Sequence, residues 1–130
     1  ATGKKFAYFN THLDHRGKVA QREGLRTIAK MIDEKVPAEL PVFLSGDFNT
    51  RTDLPIYEPL KAIMTDSREL AVETDHRGTY TGFRVRENPV VVDHIFVRGA
   101  EVDKFQVLCD KNYGAPYISD HWPVMTVARF

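Results

Sequence analysis

The chain has 130 residues, the length of one ordinary domain, and its 42% hydrophobic and 28% charged content excludes a disordered chain. Lys plus Arg number 18 and Asp plus Glu number 18, a balance that excludes a general nucleic-acid binder held by bulk charge, though not a local basic rim. A lone cysteine, Cys109, excludes an internal disulfide and a cysteine-based zinc site, and no run reaches membrane-spanning length.

No signal peptide is visible, and the opening Ala1-Thr2-Gly3-Lys4-Lys5 reads as a turn feeding a strand rather than as the natural start of a protein. Residues 4–12 alternate loosely and are rich in aromatics, which predicts a strand with Asn10 and His12 on one side. Asp14–Lys18 make a turn around Gly17. From Val19 to Val36 the period changes: Leu25, Ile28, Ala29, Ile32 and Val36 follow helical spacing, and Pro37 stops the helix.

The apolar run Val42-Phe43-Leu44, ending at Gly46, predicts a strand at 41–46 buried on both faces. Thr52 or Asp53 is placed to cap a second helix, with Pro55 in its first turn and Leu60 and Ile63 inside. Residues 65–78 are polar and predict a surface loop with a helical turn. Strands are expected at 79–83, 90–98, 102–109 and 124–130, with a loop at 110–117, and Cys109 reads as a strand packing residue. The order β-α-β-α-β-β-β supplies only two clear helices. One face of the sheet is left wet, so either the chain dimerises through it or another polypeptide segment packs there.

Four short pieces place carboxylates, imidazoles or amides inside apolar runs or at their ends: Asn10-Thr11-His12-Leu13-Asp14, Gly46-Asp47-Phe48-Asn49, Val92-Asp93-His94-Ile95 and Ser119-Asp120-His121. Such groups must be paired, hydrogen-bonded or cation-bound. Asp47 and Asn49 point the same way by the period of two, and an Asx turn closing the strand is the competing reading. Asp93 sits among Val and Ile, where an unpaired carboxylate would take up a proton, and His121 is its candidate partner. A structural carboxylate bonded to backbone amides is the alternative. His94 faces the other way, as packing or surface. Adjacent Asp120 and His121 point apart, so one is free to hold a cation while the other touches substrate. His15 and His76 read as surface residues, and Arg22 as the partner of a Glu.

Taken together and in this order, the motifs Asn-Thr-His-Leu, Gly-Asp-Phe-Asn, Asp-x-Ile and Ser-Asp-His resemble the second half of the endonuclease/exonuclease/phosphatase family. That family includes pancreatic deoxyribonuclease, abasic-site endonucleases, inositol polyphosphate 5-phosphatases and neutral sphingomyelinases. The run from Asn10 to Gly17 is similar to small bacterial members that read Asn-Thr-His-Leu-Asp-His-x-Gly.

The resemblance implies an α/β fold that is half of a four-layer α/β sandwich, largely one mixed sheet with helices on one face, and makes residues 1–130 the C-terminal half of a single domain. It implies that Asp47 orients or deprotonates the attacking water. Asn49 holds that water or a phosphate oxygen, and His121, paired with Asp93, neutralises the phosphoryl oxygens. His12 assists on the same charge, and Asn10, Asn49 and His12 touch substrate. Asp120, with Asp47 and Asn49, holds a divalent cation, Mg²⁺ or Mn²⁺. Oxygen donors suit such hard cations, and a cation with an imidazolium neutralises charge growing on a phosphoester under attack.

Family members also carry a first half with an Asn and a metal-binding Glu, and neither of those motifs occurs here. The expected partners are therefore that N-terminal half or a second copy on the bare sheet face, and a phosphoester substrate, with nucleic acid left open and no membrane span. The expected activity is divalent-metal-dependent phosphoester hydrolysis. A non-catalytic binding or assembly module that keeps the fold is the alternative of a different class. A calcineurin-like two-metal phosphatase would need more metal-binding histidines and a Gly-Asn-His segment, which the sequence lacks.

Overall fold

A computed structural model of the chain describes residues 3–86, 90–110 and 114–130. Residues 1–2 of the expected opening turn and 111–113 of the expected loop lie outside the described residues. Strand β1 (Ala7–His12) is followed by helix α1 (Lys18–Lys35) and strand β2 (Val42–Asp47). A 3₁₀ turn at Pro55–Tyr57 runs into α2 (Glu58–Lys61), β3 (Thr65–Asp66) and α3 (Ser67–Leu70). Strands β4 (Asp93–Arg98), β5 (Glu101–Val107) and β6 (Val124–Arg129) complete the order.

Four strands form a mixed sheet in the order β1-β2-β4-β3, in which β1 runs parallel to β2 and the other pairs are antiparallel. The β1–β2 crossover carries α1, as a parallel pair requires. One face of the sheet is packed. Leu25, Ala29 and Ile32 of α1 meet Val42, Leu44, Phe48, Tyr57, Leu60, Met64 and Phe96 in a single buried cluster. Each fully buried Leu or Phe there removes enough apolar surface to stabilise the fold by about 2 kcal/mol.

The other face is open. Tyr8, Asn10 and His12 alternate outward along β1 and are exposed, while Ala7, Phe9 and Thr11 turn inward. Strand β2 is fully buried only on the α1 side, at Val42 and Leu44; Phe43 and Ser45 remain half-buried, because helices cover one face only. Phe6 and Phe43 form an edge-on cluster with Phe130, the last residue of the chain.

Several expected elements differ. Strands β5 and β6 form their own two-stranded sheet instead of joining the first. The second helix is shorter, with Leu54 at its N-cap and no side-chain cap. Asp53 does not cap because the Arg51 guanidinium holds its carboxylate at 2.6 and 3.1 Å. Pro59 has no N–H to give to the Pro55 carbonyl, so the first turn closes in the tighter 3₁₀ manner.

The polar stretch 65–78 holds β3 and α3, the latter capped by Asp66, which accepts the Arg68 backbone N–H at 3.0 Å. The strand expected at 79–83 reduces to single bridges at Tyr80, because Gly82 (φ 59°) and Phe83 (φ 58°) turn the chain left-handed. The β4 ladder starts at Asp93 rather than Val90. The amides of Val92 and Asp93 donate to the Thr79 hydroxyl, each at 3.1 Å. No helix among the described residues is long and apolar enough to cross a membrane.

Candidate active site

Three strand ends deliver one residue each to a single rung: the register pairs His12 with Asp47 and Asp47 with Asp93. Residues opposite one another in a sheet share a face. All three therefore stand on the open face, at the C-terminal ends of β1 and β2 and the start of β4. Gly46 makes this rung possible. Its φ is 156°, and a Cβ there would lie 1.9 Å from the Thr11 carbonyl oxygen, so only glycine permits the close approach of β1 and β2.

His121 joins the rung from the segment before β6. The backbone fixes that segment. Thr81 and Gly82 amides donate to the Asp120 carbonyl at 2.7 and 3.1 Å, and the Trp122 amide donates to the Thr79 carbonyl at 2.7 Å. His121 Nδ1 then lies 2.7 Å from Asp93 Oδ2, and its Nε2 lies 3.8 Å from Asp47 Oδ2. His12 Nε2 approaches the same Asp47 oxygen at 3.4 Å but is 75% exposed, whereas Asp47 and Asp93 are 17% and 16% exposed. The Asp93 carboxylate orients the His121 ring and directs Nε2 at the gap beside Asp47. That separation is too long for a direct hydrogen bond.

The Asx turn open to Asp47 and Asn49 is present, and it fixes the carboxylate. Asn49, at φ 50°, donates its backbone N–H to Asp47 Oδ1 at 2.8 Å. Its side-chain amide donates to the Leu13 carbonyl at 2.9 Å and to Asp47 Oδ2 at 3.2 Å, and neither bond uses its own side-chain oxygen. Asn10 stands one same-face position back, bonded to the Ser45 carbonyl and hydroxyl at 3.2 and 2.8 Å. Tyr8 shares that hydroxyl at 2.5 Å.

Asp120 is held by its carbonyl, and its carboxylate is not one of the three groups that meet at the rung. His94 points to the packed face, 3% exposed, with Nδ1 2.6 Å from Asp66. His15 and His76 are exposed. Arg22 pairs with Glu23 at 2.8 Å.

Four positioning residues escaped the sequence reading. Thr79, fully buried, anchors both β4 and the His121 segment. Gln21, also fully buried, donates to the Asp14 carbonyl at 2.7 Å and the Asn49 carbonyl at 3.3 Å, tying α1 to the site loops. Tyr80 lays its ring 5.0 Å from the His121 ring, and the Arg86 guanidinium stacks over Tyr80 at 4.3 Å. A polar Gln on the buried face of α1 was the one visible signal; the others depend on non-local contacts.

The donor set suits a hard cation in part. Asp47, Asp93 and His121 each bring one ligand atom within 4.8 Å of the others. Among the described residues, the ion-pairing partners of both carboxylates are histidines, with no Lys or Arg to neutralise them. Mg²⁺ takes about six oxygen ligands, more than this group offers.

The sequence profile of the endonuclease/exonuclease/phosphatase family matches residues 9–121. No curated protein sequence matches the chain. Among solved structures, a mannosyl-6-phosphatase of Bacteroides thetaiotaomicron VPI-5482 is 31% identical with a TM-score of 0.85, over 99% of this chain and 53% of that one. An endonuclease/exonuclease/phosphatase family protein of Bacteroides thetaiotaomicron is 33% identical with a TM-score of 0.82, over 96% and 50%. One from Bacteroides vulgatus is 28% identical with a TM-score of 0.80, over 98% and 51%. The chain thus spans about half the length of each of these structures. With a profile match running from Phe9 in β1 through His121 of the rung, the chain belongs to the endonuclease/exonuclease/phosphatase family.

Proposed function

We propose that the protein hydrolyses a phosphoester by activated water, assisted by a divalent cation. The observation that supports this best is the His121 ring held between Asp93 and Asp47, with Nδ1 2.7 Å from one and Nε2 3.8 Å from the other. An imidazolium stabilised by Asp93 presents Nε2–H to a non-bridging phosphoryl oxygen, where negative charge grows during attack. Asp47, aimed by the Asn49 amide, orients the water and takes its proton. The Asn49 side-chain oxygen holds that water, while its amide group, already donating to Leu13 and Asp47, does not serve the phosphate oxygen expected as its alternative, and His12 adds a donor at the solvent side. Asp47, in the group it forms with Asp93 and His121, and Asn49 beside it would hold the cation, Mg²⁺ or Mn²⁺, with remaining ligands from water or from sequence outside this chain; the Asp120 carboxylate, also expected as a ligand, lies outside that group. When bound, the cation supplies further charge neutralisation. The mannosyl-6-phosphatase likeness makes a sugar phosphomonoester the first substrate to try.

The open face of β1 and β2, with exposed Phe6 and Tyr8, is in this reading covered by the remainder of the family domain. The decisive experiment uses the intact protein and a phosphoester panel. His121→Ala and Asp47→Ala each lower turnover roughly a hundredfold or more, since each removes a charge-handling group. EDTA removes the activity and Mg²⁺ or Mn²⁺ restores it. Full turnover in either variant overturns the reading.

A further inference from the structure

A cleft of about 270 Å³ opens beside the His121 segment, lined by parts of the loop at 80–86 and of the chain at 117–122. Its walls include Tyr80, Tyr117 and Trp122 with Arg77, Arg84 and Arg86, and no carboxylate lines it. Tyr80 joins the cleft to the candidate active site: it bridges to His121 along the backbone and lays its ring 5.0 Å from the imidazole. The two loops are locked together there, because the Thr81 and Gly82 amides and the Thr81 hydroxyl all donate to the Asp120 carbonyl.

Arg86 is built into this wall. Its guanidinium stacks over Tyr80 at 4.3 Å, and its Nε donates to the Thr81 carbonyl at 2.9 Å. Gly82 makes room for it: at φ 59°, a Cβ would lie 2.7 Å from Arg86 Nη2 and 3.1 Å from the Tyr80 hydroxyl. These contacts fix the guanidinium plane and leave its outer donors unused. Neither Nη group bonds to a described residue, and neither is among the buried orphans, so both keep accessible surface. Arg77 is already answered by Asp75 at 2.6 Å and by Asp110. Arg84 and Arg86 pair with no carboxylate among the described residues. A preset guanidinium with a free fork fits a phosphate or a carboxylate. Arg86 meets His121 only through the Tyr80 ring, so the group it fits is a second one on the same molecule, not the phosphoryl group under attack.

We propose that this cleft reads a second anionic group on the substrate through Arg86, with Arg84 beside it, so that the preferred substrate is a phosphoester carrying a further phosphate or carboxylate. Cleavage of that substrate rests on the hydrolase reading, whereas its binding through Arg86 does not, and the test keeps the two apart. With the intact protein and Mg²⁺, kcat/KM is compared for glucose 6-phosphate and glucose 1,6-bisphosphate, with 6-phosphogluconate as the carboxylate arm. A doubly anionic ester is favoured roughly tenfold or more, and Arg86→Gln removes most of that ratio. A merely structural role in bracing Tyr80 lowers all three by one factor and leaves the ratio intact. Arg86→Lys, which keeps the charge without the fork, restores part of it. Calorimetric titration of the same compounds in EDTA reads binding without turnover and shows the same advantage and the same loss. Should Arg86→Gln fail to fold, Arg84→Gln, at an exposed position, reduces the advantage by a smaller factor. An advantage confined to the bisphosphate or to the sugar acid identifies the second group. A binding advantage with no turnover counts against the hydrolase reading alone. Equal affinity for all three compounds, or an advantage unchanged in folded Arg86→Gln, overturns the proposal.

Discussion

Gly46 sets how close β1 comes to β2, and so where Asp47 stands. A methyl group there meets the backbone of Thr11, which no side-chain rearrangement relieves. Gly46→Ala is therefore expected to destabilise the intact protein by about 3 kcal/mol, the upper part of the range for overpacking, measured by urea unfolding. Because Thr11 precedes His12 and Gly46 precedes Asp47, the variant also displaces the rung. Turnover falls even at temperatures where the fold persists. A variant as stable and as active as the parent would show that the strands can part here without cost.

At the scale of elements, the end of β5 is held by one acidic loop residue. Asp75 accepts from the Arg77 side chain at 2.6 Å and from the backbone amides of Arg77 and Val107, each at 3.0 Å. Hydrogen bonds from the Arg77 guanidinium, then from those amides, hold its carboxyl well below the usual carboxylate range. The folded state thus binds the proton less readily than the unfolded chain, so Asp75 stabilises above about pH 4, the unfolded value, and the contribution is lost as pH falls further. Asp75→Asn is expected to cost about 1–2 kcal/mol at pH 7, after allowance for the half-exposed Arg77, and to flatten the stability profile below pH 4. Thermal unfolding from pH 2 to 7 checks both, and parallel profiles for parent and variant would refute the assignment.

For the whole molecule, the open face is the main question. Tyr8 is 61% exposed although its hydroxyl is bonded to Ser45, and Phe6 is 51% exposed beside Phe43 and Phe130. These large aromatics in a row on one sheet face are the observation behind the covering segment proposed above. Oxidative footprinting of the intact protein should find Tyr8 protected relative to exposed Phe83. Equal reactivity would mean that the face is bare in solution.

Local chemistry legible in the sequence determined much of this. The period of α1 gave its inner residues, the strand ends gave Asn10, His12, Asp47 and Asn49, and the buried setting of Asp93 gave the need for a partner, met by His121. Periodicity and the cost of burying charge act within a few residues, so they survive in a single string. Tertiary structure alone decided the rung, because register between β1, β2 and β4 is a property of three distant segments. It also decided that Thr79 and Gln21 brace the site, that β5 and β6 leave the main sheet, and that Tyr80, Arg84 and Arg86 line one cleft. Contacts between residues far apart in the chain are set by how whole faces pack, and no local rule encodes that packing.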